Sequence, residues 1–275
     1  MNDRTVISEN ETPESPEKLF RLLDKVRQSD SAVVRDDQYE FLTFMDAARF
    51  RGRHFGLIDS GRFSGLEMES LGRAGVSFYS SDEARTDSEE IVTIRRACAK
   101  GGSFLAYFLN GDLAVEQVRQ GGIPFPSLIK LAESGVYLHV SNRNGKRDES
   151  LLADLGRSCR RGGSWLVYYH HGPLRDDLSG LAETAAWIHL SDRSLGGDEE
   201  IALCRELARR SKRLVLIVES IRPAGFLQEM WRAGVFLRFM TPPVEPGSAL
   251  GVLERKARKK TLDTRAYYIS NAFIP

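Results

Sequence analysis

Cysteine is scarce in this chain, and the number and spacing of the three residues argue against a disulfide framework and against a metal or redox cluster. The three cysteines, Cys98, Cys159 and Cys204, include no Cys-x-x-Cys pair and cannot all pair within the chain. A disulfide framework is therefore not expected, and reduced thiols in a cytoplasmic protein are the simplest interpretation. Each cysteine falls in the back half of a predicted long helix, where a small apolar side chain packs a helix on a sheet.

Long apolar runs are also lacking. No stretch approaches the roughly 20 apolar residues that a membrane-spanning helix needs. The first 18 residues are polar and acidic, unlike a secretory signal or an Arg-rich transit peptide. Hydrophobic residues still make up 41% of the chain, which is enough for a sizeable core.

What the chain does contain is one pattern written four times. It runs from a short apolar strand through an acidic helix start and a long helix with a basic end to a second strand and helix. The clearest copies begin at Val76, Val136 and Ala186, and the fourth is split between residues 235–260 and 54–70. The pattern predicts strands near 54–59, 76–81, 103–109, 136–141, 164–170, 186–191, 213–219 and 235–241. The predicted helices lie near 64–73, 87–100, 113–133, 148–161, 176–184, 198–211, 224–233 and 247–260.

Eight alternating strand–helix units predict an α/β fold, a single (β/α)8 TIM-type barrel with a fourfold (βα)2 internal repeat. A doubly wound open sheet is the alternative. Residues 1–50 are predicted to hold a disordered start and an N-terminal helical extension, with helices over 16–27 and 38–49. The barrel is predicted over 51–260. The tail, 261–275, carries several large apolar residues and is expected to pack back on the barrel or on a partner.

Side chains alternate along a strand, so every strand has two columns. In four of the predicted strands one column is wholly apolar and is expected to face the helices, as in Val136, Leu138 and Val140. The other column is expected to face the barrel axis. Its middle layer is Tyr79, His139, His189 and Arg238, whereas branched aliphatics usually fill barrel interiors. Buried polar groups must be paired, so the pattern predicts a hydrogen-bonded network or a bound ligand there.

The other four strands are harder to register. The best alignment directs Asp59, Leu109, His170 and Glu219 inward, above Leu57, Tyr107, Tyr168 and Ile217. A slip of one residue exchanges His170 for His171 and Glu219 for Ser220. Active sites of barrels lie at the C-terminal ends of the strands. Asp59, His170 and Glu219, with His189 below them, are therefore the candidate catalytic set, for acid/base work or as ligands of a divalent metal.

One familiar barrel chemistry is disfavoured. No Lys lies inside a predicted strand, as a Schiff-base aldolase would need.

Loops after the seventh and eighth strands often bind phosphate. Here Arg222, Gly247 and Ser248 could supply a cation and backbone N–H groups, with Asp192 among the polar residues of the same rim, although Gly, Pro and Ser also begin ordinary helices.

Acidic residues open the long helices and basic residues close them. In a barrel this places a basic ring on the face opposite the active site. The ring predicts an acidic protein partner or simple complementation of the helix dipoles. The aromatic interleaving of single-strand binders is missing, so nucleic acid is not expected.

Two functions remain open from the sequence. One is an enzyme that acts on a small polar metabolite, for which an anion is one option, by acid/base or metal-assisted chemistry at the C-terminal face of the barrel; no cofactor other than a divalent metal is indicated. The other is a non-catalytic barrel that works by binding, regulation or assembly.

Overall fold

A computed structural model describes residues 15–17, 32–52, 55–111, 123–143, 148–174, 178–220, 222–240, 245 and 247–260 of the chain. The predicted helix over 16–27, the first part of the helix near 113–133 and the tail 261–275 lie wholly or largely outside these residues. Among the described residues, no helix has the length and apolar character needed to cross a membrane.

Nine strands of the described chain form a single parallel sheet whose strand order is the chain order. They are β1 (Ala32–Arg35), β2 (Phe55–Ile58), β3 (Ser77–Ser81), β4 (Leu105–Leu109), β5 (Tyr137–Ser141), β6 (Leu166–His170), β7 (Trp187–Ser191), β8 (Leu214–Val218) and β9 (Phe236–Phe239). An order that never reverses excludes the doubly wound sheet.

Helices alternate with these strands. They are α1 (Phe41–Arg51), α2 (Gly65–Arg73), α3 (Ser88–Gly101), α4 (Phe125–Glu133), α5 (Glu149–Arg161), α6 (Ser179–Ala182), α7 (Asp198–Arg210), α8 (Ala224–Arg232) and α9 (Ala249–Lys259). Side chains at the predicted positions cap several of them. Asp87 accepts backbone N–H bonds at the start of α3, as Asp148 does at α5 and Ser248 at α9.

The strand count corrects our prediction of eight. β1 lies in the segment that we assigned to a helical extension, ahead of α1, so the sheet begins about twenty residues earlier than expected. The short run Ala32–Arg35 was obscured because only Val33 and Val34 are strongly strand-forming. β1 pairs with β2 along its whole length. No ladder joins β9 to β1 among the described residues.

The two faces of the sheet differ as predicted for β3, β5, β7 and β9. The wholly apolar columns of these strands join the main core together with residues of the helices. The opposite columns form two smaller buried clusters, around Tyr79 and Phe108 and around Tyr169 and Val215, in which no described helix residue takes part. A face that is buried without helices is the interior of a rolled sheet, so the molecule is an α/β barrel.

The register of the other strands corrects three of our four assignments. Ala106 and Phe108 of β4 pair with inward-facing neighbours, so Tyr107 and Leu109 face the helices. The same one-residue slip turns Leu57 and Tyr168 outward. In β8 the expected phase is right, because Ile217 lies beside inward-facing Arg238.

Candidate functional site

Carboxylate or amide side chains lie one residue beyond β1, β3, β5 and β7, and each clamps the end of the following strand. They are Asp36, Asp82, Asn142 and Asp192. The backbone N–H groups that they accept, with N···O distances, belong to Ser60 (3.0 Å), Asn110 and Gly111 (3.0 and 2.8 Å), His171 (2.7 Å), and Glu219 and Ser220 (both 3.0 Å). Asp192, which we predicted to bind a ligand, is completely buried in this structural role. The fourfold repeat as a whole stays a prediction.

Asp59 does not face the barrel mouth. Its carboxylate lies on the helix side of β2, accepts the Ser80 hydroxyl at 2.6 Å and forms a buried ion pair with Arg85 at 2.7 Å. Arg85 also pairs with Glu90 at 2.9 Å. Both oxygens of the carboxylate are occupied, so Asp59 holds the loops after β2 and β3 together. Its predicted inward position is wrong, and its catalytic role stays a prediction.

His170 is likewise turned away from the axis by the register of β6. Its Nε2 lies 3.2 Å from the carbonyl oxygen of Pro173, and its Nδ1 lies 3.5 Å from the Asn142 amide nitrogen. The neighbouring His171 takes the inward position, as the one-residue slip required.

The polar axis predicted from the sequence exists in part. His139 Nδ1 lies 2.9 Å from the Tyr169 hydroxyl, and its ring stacks on Phe108 at 4.3 Å between centroids. The Tyr169 ring lies 4.8 Å from that of His189. Tyr79 and Arg238 occupy inward positions of β3 and β9, on either side of this row. The row is therefore centred on Tyr169, which the sequence-based register had placed outside.

At the C-terminal ends of β6, β7 and β8 the inward column continues into a polar group, here called the rim cluster: His171, Ser191, Glu219, Arg193 and Arg143. The Ser191 hydroxyl donates to Glu219 Oε2 at 2.6 Å, and Arg193 Nε lies 3.6 Å from the same oxygen. The Glu219 side chain keeps 36% of its surface exposed. The rim cluster is thus open to solvent and unites an acid, an imidazole, a hydroxyl and two guanidinium groups.

Burial and the charges around His171 together set its protonation. Partial burial and the positive charge of Arg143 lower its pKa from the ordinary value of 6.5, and the carboxylate of Glu219 offsets part of that shift. His171 is therefore neutral at pH 7 and able to accept a proton.

The proposed phosphate loops are only partly described. Arg222 donates to the Asp192 backbone carbonyl and lies 3.6 Å from its carboxylate. It therefore stabilises the position of the Asp192 side chain at the end of β8. Ser248 caps α9 by accepting the Gly251 N–H at 3.0 Å, and Gly247 precedes it. These contacts favour the ordinary helix-start interpretation for Ser248.

Asp59 and His170 lie on the helix side of the sheet, whereas Glu219 and His189 lie on its inner side, and a divalent metal at these residues stays a prediction. Within the described part of the chain, no three His, Cys, Asp or Glu side chains are arranged to hold a metal ion. The three cysteines are buried, and burial raises the pKa of each thiol to about 12.

Basic residues do gather at the helix C-termini, and several have structural partners. Arg95, Arg213 and Lys260 donate to the carbonyls of Gly135, Ala185 and Gly234 at 2.7, 2.8 and 3.2 Å. These three acceptors all have positive φ, of 91°, 66° and 95°. These basic side chains thus stabilise the left-handed turns that precede β5, β7 and β9.

A groove of about 580 Å³ on the same face is lined by Arg157, Arg160, Arg161 and Glu183. Arg157 and Arg161 pair with Asp154 and Glu133 at 2.5 and 2.8 Å. An acidic partner for this face stays a prediction.

Sequence reasoning missed Arg85, Arg143 and Arg193, and ranked His171 below His170. Arg143 and Arg193 follow Asn142 and Asp192 in matching copies of the pattern, at Ser-Asn-Arg and Ser-Asp-Arg. That repeated arginine was the available signal.

No family model matches the chain, and no curated protein matches its sequence. Among solved structures, it resembles 3-dehydroquinate dehydratase from Aquifex aeolicus VF5 (12% identity, 84% of this chain and 97% of that one, TM-score 0.34). It also resembles deoxyribose phosphate aldolase from Aeropyrum pernix (15%, 88% and 92%, TM-score 0.32). A third match is 3-hexulose-6-phosphate synthase (10%, 74% and 98%, TM-score 0.31). Likeness at this level says nothing about the activity of this chain.

Proposed function

We propose that this barrel is an enzyme that acts on a small anionic metabolite at the rim cluster, with Glu219 and His171 in acid/base roles. The observation that carries the proposal is the meeting of Glu219, His171 and Ser191 at the C-terminal ends of three adjacent strands. That end is where barrel enzymes place their reacting groups.

Each member of the cluster has a separate task. Neutral His171 accepts a proton from the substrate, since its lowered pKa keeps it unprotonated near neutrality. Glu219, held by the Ser191 hydroxyl at 2.6 Å, is the second proton-transfer group. Arg193, 72% exposed at its side chain, and Arg143 attract the anionic end of the substrate.

Binding is tested by thermal shift with inorganic phosphate and with small carboxylates. For Arg193→Gln, about ten-fold more ligand should be needed to reach the same shift in melting temperature, because one charge-assisted hydrogen bond to the anion is lost. Arg205→Gln is the matched control, because Arg205 lies on α7 and pairs with Glu229 at 2.9 Å. Equal shifts for wild type and both variants would contradict anion binding at the rim cluster.

Catalysis is tested with the compounds that bind, by following their conversion in NMR spectra. Glu219→Gln keeps an acceptor for Ser191 and should bind normally while turnover is lost. The rate of the wild type should fall at acid pH with a midpoint below 6.5, where His171 becomes protonated.

A non-catalytic binding protein is the second candidate. It is supported by the packed interior beneath the rim, where Phe108, His139 and Tyr169 are all buried. Tight binding of an anion without conversion by the wild type would favour this function over the enzyme.

A further inference from the structure

The interior of the barrel is packed along most of its strands and opens beside β9. The apolar inward side chains of β1 to β7 are all buried, among them Ile58, Phe108 and Tyr169. Ile217 of β8 is only half-buried, and Met240, which follows β9, keeps 56% of its surface exposed. Apolar surface of the inward column therefore meets solvent at the C-terminal ends of β8 and β9.

The sheet places Met240 beside Glu219, the acid of the rim cluster. The Met240 N–H donates to the Val218 carbonyl at 3.0 Å, which continues the pairing of β8 and β9 by one residue. Ile217 and Arg238 are partners in this ladder and both face inward. Because side chains alternate along a strand, Glu219 and Met240 each lie two residues farther along the same inward face. A thioether thus stands next to a carboxylate at the barrel mouth.

Equivalent strand ends show that Met240 departs from the pattern. β3, β5 and β7 each end on an inward serine, Ser81, Ser141 and Ser191. The matching position after β9 is Met240, whose flexible and polarisable side chain suits contact with apolar groups of varied shape. The other exposed large apolar side chains of the described chain lie on the outer helices α1, α2 and α9. The mouth is therefore polar at three strand ends and apolar at the fourth.

We propose that Met240 and Ile217 form an apolar subsite of the rim cluster, so that its ligand is an anion that carries an alkyl chain. The inference rests on the proposed function, which supplies the anion site at Arg193. An alkyl chain that covers the two side chains gains the free energy of removing their apolar surface from water, whereas a wholly polar metabolite leaves that surface wet. Glu219 lies between Ser191 and Met240, at the junction of the polar and apolar parts.

The test is an NMR titration of the full-length protein with acetate, butyrate and hexanoate. The affinity of the wild type should rise about two- to four-fold for each added methylene, the gain for a CH₂ group that is partly or wholly buried. Met240→Gln should keep the affinity for acetate and bind hexanoate about five-fold more weakly. Leu66→Gln is the matched control, because Leu66 is 75% exposed on α2, and it should leave both affinities unchanged.

Arg193→Gln separates this inference from the proposed function. It should weaken the binding of acetate and hexanoate by the same factor, whereas Met240→Gln should act on hexanoate alone. Equal affinities for acetate and hexanoate in the wild type, or an unchanged rise with chain length in Met240→Gln, overturn the apolar subsite and leave the anion site standing. Affinities that Arg193→Gln leaves unchanged overturn the anion site, while a rise that depends on Met240 still supports the subsite. Failure of all three carboxylates to bind the wild type overturns both.

Discussion

The buried ion pair between Asp59 and Arg85 shows how position changes the worth of one charge. Both side chains are almost wholly removed from solvent, at 0% and 6% exposure, whereas Glu40 in its pair with Arg62 is 83% exposed. A charge that loses its partner in the interior keeps its full desolvation cost. The exposed pair competes with water and contributes little.

Asp59→Asn should therefore lower the free energy of unfolding by about 3 kcal/mol, the lower end of the range for a broken buried ion pair, because Arg85 loses its buried partner but keeps Glu90 at 2.9 Å. Glu40→Gln, the control, should cost less than about 1 kcal/mol. Urea denaturation monitored by circular dichroism measures both. If Asp59→Asn lowers the free energy of unfolding no more than the control does, the ion pair is not buried as described. Asp59 would then be available for its predicted catalytic role.

At the scale of the strand, the limits of prediction can be traced to composition. The strands SFYSS, YLHVS and WIHLS alternate polar and apolar residues, which marks their inner face. FGLI, LAYFL and LVLIV are apolar on both faces, as parallel strands covered on two sides usually are. Their alternation carries no phase, so Asp59 and His170 were directed inward wrongly while Glu219 was directed correctly. The positions of all eight predicted strands were nonetheless right to within a few residues.

The clamps between strands give a pH prediction. Burial raises the pKa of Asp82 above its ordinary 3.8, against the lowering effect of the Asn110 and Gly111 N–H groups. The folded state therefore holds this proton more tightly than the unfolded chain does. The stabilisation from Asp82 is complete below pH 3.8 and is lost as the pH rises through the folded pKa.

Asp82→Asn should remove this dependence and keep one of the two N–H bonds of the clamp, as Asn142 accepts the His171 N–H at 2.7 Å in the same position after β5. Relative to wild type, the Asp82→Asn protein should gain stability as the pH rises from acid to neutral, measured by urea denaturation at both ends of that range. Asp82→Ala, which lacks any acceptor, should be the less stable variant at both. If the Asp82→Asn protein instead loses stability relative to wild type as the pH rises, the clamp requires the charge.

For the whole molecule, the decisive feature is the junction between the first and last strands, here called the seam, across which no ladder is found among the described residues. Eight ladders link nine described strands in chain order, so β1 and β9 each have one hydrogen-bonded neighbour among them, whereas β4, β5 and β6 have two. Edge strands open locally at a lower free energy than central strands.

Amides of β1 and β9 should thus exchange with solvent deuterium at least about ten-fold faster than those of β4–β6, a difference of about 1.4 kcal/mol. Hydrogen exchange with mass spectrometry of the native protein measures this, with β5 as the internal control because it lies farthest from the seam. Protection of β1 and β9 equal to that of β5 would mean that the ring is closed in solution, whereas fast exchange at both would leave the barrel with a seam through which it opens.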